Sequence, residues 1–197
     1  MLNPISCYDL LVKVNALMRE NGIEYFISNG TLLGIWRSGD FFEHDNDIDI
    51  GVIASTWKDD TFELLLNNGF SPLLQFGEKD NGLEYSFMYE GTKLDIFFYY
   101  EAEKYFWHAA WDKYPGCGQK RQMLFHTYDK FAAQDYLFKG VTIRIPAEPE
   151  RCLEQAYGQD WHIPNKNWKW NRDPRNMTRK DVFIEYKDLR NLPSHGV

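Results

Sequence analysis

The sequence predicts an α+β protein in which a mixed sheet is flanked by helices, forming one compact domain with a small C-terminal extension. Three observations carry this. Ile5, Tyr8, Leu11, Val12, Leu17 and Met18 recur near the helical period ahead of Asn21-Gly22, the pattern of an amphipathic helix and its stop. The run 47–53 opens on alternating acids and aliphatics, the period of a strand with its acids on one face. Between residues 71 and 100, apolar runs are divided by Asn81-Gly82 and Glu90-Gly91, which are hairpin signals.

In chain order, the helix is expected over 5–21 and a strand over 24–28. Asn29-Gly30-Thr31 reads as a tight turn into a short helix, 31–37, with Thr31 as its cap and Ser38-Gly39-Asp40 as its end. The acidic strand 47–53 follows, then a helix over 56–68 closed by Asn68-Gly69. Strands are expected at about 71–76, 83–89 and 93–100. Residues 101–132 are rich in Trp, Tyr, Phe and His with a break at Tyr114-Pro115-Gly116-Cys117-Gly118, and they yield no assignment; Trp107 and Trp111 have helical spacing. Lys139-Gly140 joins short strands 136–138 and 141–145 as a hairpin, and Pro149 opens a helix that Gly158 ends. After Pro164 the chain turns polar, basic and aromatic, so residues 1–164 are assigned to the main domain and 165–197 to the extension, packed on it or trailing from it.

The 44% apolar content over 197 residues suits one substantial core. A net charge of −7 argues against general nucleic-acid binding, which depends on neutralising many phosphates. Cys7, Cys117 and Cys152 are too dispersed for a disulfide framework or a structural zinc. The five histidines are scattered and read as hydrogen-bonded or surface groups. The N-terminus has no leader pattern, and no segment approaches the roughly 20 apolar residues that span a bilayer. The expectation is a soluble cytoplasmic protein that touches at most the inner face of a membrane, through the basic segment containing Trp161, Trp168 and Trp170.

The chemistry concentrates in His44-Asp45-Asn46-Asp47-Ile48-Asp49-Ile50. Asp47 and Asp49 project to one side of a strand, and carboxylates that close repel unless a cation relieves them; an all-oxygen set favours Mg²⁺, with Mn²⁺ as a substitute. Asp45 shares their parity. A solvated acidic strand edge has the same pattern, so the run alone is weak. Asp95, inside Leu94-Asp95-Ile96-Phe97-Phe98-Tyr99, adds weight because a buried charge needs compensation. A metal shared with Asp47 and Asp49 would supply it, and so would an ion pair, for instance with Arg37. Gly30-Thr31 permits close backbone approach at a helix start whose free N–H groups suit a phosphate.

Taken in order, Gly30-Thr31, Asp47-Ile48-Asp49 and Asp95 resemble the nucleotidyltransferase superfamily pattern, with Thr31 where Ser is usual. The segment Asn29-Gly30-Thr31-Leu32-Leu33-Gly34-Ile35-Trp36-Arg37-Ser38-Gly39-Asp40-Phe41, with the acid run, Lys93-Leu94-Asp95-Ile96-Phe97 and Tyr157-Gly158-Gln159-Asp160-Trp161, is similar to the LicD and fukutin-related family of phosphotransferases, over about residues 22–164. The resemblance implies a nucleotidyltransferase-like sheet and transfer of a phospho-alcohol, such as phosphocholine or ribitol phosphate, from a CDP-linked donor to a glycan or lipid-linked glycan, with release of CMP. It implies Asp47, Asp49 and Asp95 as metal ligands, Asp45 as a ligand or orienter, and Asp45 or Asp95 as proton acceptor. Arg37 and Lys93 become candidates for phosphate contacts. The alternative within the same fold is transfer of a nucleotide from an NTP to a small molecule, protein or RNA.

Overall fold

A computed structural model describes residues 4–43, 47–116 and 118–192. Helix α1 (Pro4–Glu20) lays Leu10, Leu11, Val14 and Met18 into the core. The short strand β1 (Tyr25–Ile27) leads into helix α2 (Asn29–Ser38), which Gly39 ends in the left-handed conformation at φ 69°, its N–H closing on Ile35 O. The acidic strand β2 (Asp47–Ile53) comes next, then a 3₁₀ turn over 54–56 and helix α3 (Thr61–Asn67). Strands β3 (Ser71–Glu78), β4 (Asn81–Tyr89), β5 (Thr92–Glu101), β6 (Tyr105–Lys113) and β7 (Lys120–Asp129) follow as antiparallel neighbours. The hairpin β8 (Ala133–Phe138) and β9 (Val141–Pro146), helix α4 (Pro149–Tyr157), β10 (Met177–Glu185) and β11 (Lys187–Asp188) complete the order.

The nine-stranded sheet runs β10-β7-β6-β5-β4-β3-β11, with β2 and β1 branching from β5. The branch arises because β5 is shared along its length: residues 93–99 pair in parallel with β2, while only Tyr100 and Glu101 pair with β6. Every other pairing is antiparallel. Strand period does the rest. Ile48, Ile50 and Val52 of β2 and Leu94, Ile96 and Phe98 of β5 are fully buried on one face, where Phe62 of α3 packs its ring against Tyr85 and Phe87. The opposite face carries the acids.

Several expectations are corrected. The helix expected over 56–68 is shorter, because Trp57 is extended at φ −71°, ψ 119° and its ring is buried against Phe98. The unassigned stretch 101–132 contains two of the longest strands, β6 and β7. Trp107 and Trp111 therefore lie on a strand rather than a helix. Trp107 stacks between Tyr100 and Phe125, and Trp111 donates from Nε1 to Gly82 O at 2.8 Å. Alternation is invisible here because both faces are covered: Ala110 and Leu124 join the main core, whereas Ala109, Trp111 and Met123 form a second one with Phe76. Beyond Pro164 the chain forms two strands. β10 pairs with β7 and β11 with β3, so one short stretch bridges the two ends of the β3–β7 order around that second core. No helix among the described residues is long and apolar enough to cross a membrane.

His108 and His126 pair in register on β6 and β7 and stack at 4.7 Å, both buried rather than at the surface. Burial lowers the imidazole pKa of each, that of His126 to about 4. Between an ordinary value of about 6.5 and this one, the unfolded chain binds a proton that the folded chain refuses, so stability is lost as pH falls through that window. Acidification from pH 7 to 4.5 is expected to remove about 2–3 kcal/mol through His126. Urea denaturation at the two pH values, compared with His126→Gln, measures it; an unchanged pH dependence in the variant would refute the assignment.

Candidate active site

The acids are assembled by register. In the parallel pair Asp47 lies opposite Lys93 and Asp49 opposite Asp95; in the antiparallel pair Ser86 lies opposite Asp95 and Met88 opposite Lys93. Two rows thus cross the sheet, Met88-Lys93-Asp47 and Ser86-Asp95-Asp49, and strand period points their side chains to the same face. One carboxylate oxygen from each of Asp47, Asp49 and Asp95 lies within 4.8 Å of the others. Those oxygens could hold one hard cation, since the set is all oxygen and carries excess negative charge.

Asp95 is only 6% exposed. Its Oδ1 accepts a 2.6 Å hydrogen bond from Ser86 Oγ, and its Oδ2 lies 2.7 Å from Lys93 Nζ. Lys93 Nζ also reaches Asp47 Oδ2 at 3.0 Å. Arg37 is therefore not the partner of Asp95. Burial raises the Asp95 pKa, and Lys93 opposes the rise. Burial by itself would lower the Lys93 pKa, but the charges of Asp95 and Asp47 outweigh it and hold the ammonium above its usual range. Lys93 is thus an internal counter-ion standing between two candidate ligands.

Asp49 is fastened to α2. Its Oδ2 accepts the Gly30 N–H at 3.1 Å, its own N–H donates to Thr31 Oγ1 at 2.9 Å, and its carbonyl accepts the Ser28 N–H at 3.1 Å. Thr31 is accordingly not the helix cap: α2 starts at Asn29 with Ser28 in the cap position, and the Thr31 hydroxyl holds β2 instead. The Gly30 N–H that Asp49 accepts is one of the free donors at the start of α2. Gly34 lets the chain beyond the helix fold back on α2, because a Cβ there would lie 3.0 Å from Asp40 O.

Arg37 sits in the last turn of α2, away from Gly30. Its Nη1 donates to Trp161 O at 3.2 Å and its guanidinium lies 4.6 Å from the Phe42 ring centre, so among the described residues it makes these contacts and none with Asp47, Asp49 or Asp95. Asp45, together with His44 and Asn46, lies outside the described residues.

Glu84 was not anticipated. It stands one row beyond Ser86 on β4, opposite Phe97, buried and, among the described residues, with no hydrogen-bond partner for Oε2. Burial, then the charge of Asp95, raises its pKa well above the ordinary value. The signal was present: Leu83-Glu84-Tyr85-Ser86-Phe87 is a hydrophobic strand carrying a charge, the argument that singled out Asp95. A carboxyl with a raised folded pKa weakens the fold above the ordinary carboxylate range, and the penalty vanishes as pH falls through that range. Glu84→Gln is expected to stabilise the metal-free protein at pH 8 by about 1 kcal/mol or more, with the gap closing near pH 4. Paired denaturant titrations test this, and equal stability at pH 8 would show that Glu84 is solvated.

Known proteins bear on this site. The family described as LicD/FKTN/FKRP, nucleotidyltransferase domain, matches residues 22–148, a span that includes α2, β2 and β5. Human ribitol-5-phosphate transferase FKTN is 30% identical over 179 residues, covering 90% of this chain and 38% of that protein. The uncharacterized protein RP689 of Rickettsia prowazekii is 27% identical over 159 residues, 78% of this chain and 54% of that one. The chain spans well under half the length of the FKTN relative. Among solved structures, the antibiotic-resistance factor ANT(2'')-Ia superposes with a TM-score of 0.52 at 13% identity, covering 85% of this chain and 78% of the other, a likeness of fold alone. Matched over well more than half its length, and through the elements that bring its acids together, this chain belongs to the LicD/FKTN/FKRP family.

Proposed function

We propose that the chain is a metal-dependent transferase that moves a phospho-alcohol from a CDP-activated donor to a hydroxyl of a glycan, releasing CMP, on a nucleotidyltransferase-like sheet. The observation that carries this reading is the convergence of Asp47, Asp49 and Asp95 on one face, with Lys93 between them and the start of α2 alongside. Family membership and the ribitol-5-phosphate transferase relatives support the class of transferred group.

In this reading the acceptor oxygen forms a bond to the phosphorus that bears the alcohol. The bond from that phosphorus to the bridging oxygen breaks, and CMP leaves with the electron pair. The hydroxyl proton passes to a carboxylate of the cluster. Asp47, Asp49 and Asp95 would hold Mg²⁺ or Mn²⁺, which when bound neutralises charge on the diphosphate. Lys93 Nζ, at the half-open mouth of the cluster, is the chain's own cation for that diphosphate. Gly30 and Thr31 keep Asp49 fixed beside it.

The test incubates the protein with CDP-choline, CDP-ribitol or CDP-glycerol and Mg²⁺, with ATP and CTP in parallel, and follows CMP and pyrophosphate. CMP release from a CDP donor that Asp47→Asn abolishes is the expected result. Pyrophosphate from an NTP, with no CMP from any CDP donor, would replace this reading by nucleotide transfer.

A further inference from the structure

Between Trp161 and Arg172 the chain contains no carboxylate, in a protein with net charge −7. Ile163 and Trp170 in this stretch are 59% and 55% exposed, and Lys166, Lys169 and Arg172 are exposed beside them. Single exposed apolar side chains are ordinary on protein surfaces. Here they coincide with a cluster of one sign of charge on a tip that is built rather than loose. Trp161 O accepts from Arg37 and the Trp168 ring rests 5.0 Å from Tyr157. Asn171 is held twice, its Nδ2 donating to Asp112 Oδ1 at 3.1 Å and its carbonyl accepting from Arg179 at 2.7 Å. These anchors take the inner sides of the stretch and leave its tip to solvent. Among the described residues its one ion pair joins Arg172 to Asp173.

We infer that the tip formed by residues 163–172 docks on an anionic lipid surface. Trp170 and Ile163 enter the headgroup layer, and Lys166 and Lys169 sit against its phosphates. An indole is suited to that layer, apolar in its ring and polar at its N–H. Each lysine adds attraction to a negative leaflet, and neither the apolar nor the charged contribution alone gives stable binding. An acidic glycan would satisfy the lysines but leave Ile163 in water, which favours lipid. Tyr157, on which Trp168 rests, lines the same small cavity as Ser28 and Asn29 at the start of α2, whose next residue holds Asp49. Trp168, Tyr157 and that cavity thus connect the stretch to the start of α2. The surface stands on these contacts and does not depend on the transfer reading.

The experiment sediments the full chain with phosphatidylcholine vesicles prepared with and without phosphatidylserine, at low and high salt. Salt-sensitive binding only to the phosphatidylserine vesicles is expected. The double variants Ile163→Ser/Trp170→Ser and Lys166→Glu/Lys169→Glu should each lose about tenfold or more in partitioning. Because these side chains are exposed, both variants should melt with the unaltered protein. Absence of vesicle binding, or variants that bind as well as the unaltered chain, would overturn the inference. So would self-association abolished by the first variant, which would assign the patch to a second copy, or binding to heparin without binding to vesicles. A chain that releases no CMP from any donor leaves this measurement untouched, so the two ideas fail separately.

Discussion

Asp49→Asn is expected to reduce transfer about a thousandfold or more while leaving the fold intact. The carboxylate has two tasks that the substitution separates. Its Oδ2 accepts the Gly30 N–H, and an amide oxygen can accept the same bond. Its charge is the part that cannot be replaced, since it completes the set of Asp47, Asp49 and Asp95 oxygens able to hold a divalent ion. Loss of one ligand and one negative charge removes stabilisation of several kcal/mol from a phosphoryl-transfer transition state, which is the source of the thousandfold figure. Stability should change by less than about 1 kcal/mol, because shape and hydrogen bond are conserved. CMP release in the donor assay, thermal melting and calorimetric titration with Mn²⁺ together decide the case. Unaltered Mn²⁺ affinity would move the metal away from Asp49.

Lys93→Met should weaken the metal-free protein and at the same time tighten divalent-ion binding. Lys93 Nζ lies 3.0 Å from Asp47 and 2.7 Å from Asp95, with Asp95 nearly buried and Lys93 itself about one-third exposed. Removing it leaves two carboxylates in a poorly solvated site with no counter-charge. The cost of breaking such a pair is about 3 kcal/mol, less where water reaches one partner. A divalent ion would no longer compete with an ammonium for the same oxygens. The variant should then bind Mn²⁺ about tenfold tighter than the unaltered chain, and Mn²⁺ should raise its melting temperature by a larger increment, as linkage requires. Equal or weaker Mn²⁺ binding would mean that Lys93 and the ion do not share a position. Transfer activity should fall despite the tighter metal, because the chain's own cation for the diphosphate is gone.

Both predictions depend on a feature that could be read only in part from the chain. The shared side of Asp47 and Asp49 follows from strand period, which is local. Asp95 announced itself as a charge inside a hydrophobic strand, and Glu84 would have done so by the same reasoning. Lys93 could be named as a functional candidate, but not as a counter-ion. Nothing in the segment Thr92-Lys93-Leu94-Asp95 states that Lys93 faces Asp47, because that is set by the parallel register of β2 on β5 across a gap of about 40 residues. Thr31 shows the same limit. Its place before a helical run suggested a cap, and in the structure its hydroxyl accepts the Asp49 N–H instead, a partner on strand β2.

The misread regions have a common cause. Helices α1 and α4 and the acid-bearing start of β2 were legible because polarity there follows the period of the backbone, whereas β4 and β5, buried on both faces over most of their length, were legible from the Asn81-Gly82 and Glu90-Gly91 turns that bound them. β6 and β7 lie between two hydrophobic clusters and lose that alternation. β10 and β11 are mostly exposed edge segments whose strand character comes from pairing with β7 and β3, which a polar local sequence does not advertise. The sequence by itself determined the acids, the glycine turn before them and the order of the central strands, since these depend on residue type and backbone period. Tertiary structure alone decided which cation stands among the acids, which backbone N–H holds Asp49, where Glu84 lies and how the C-terminal segment completes the sheet. Each of those is a contact between distant residues, and register and packing, not local propensity, select it.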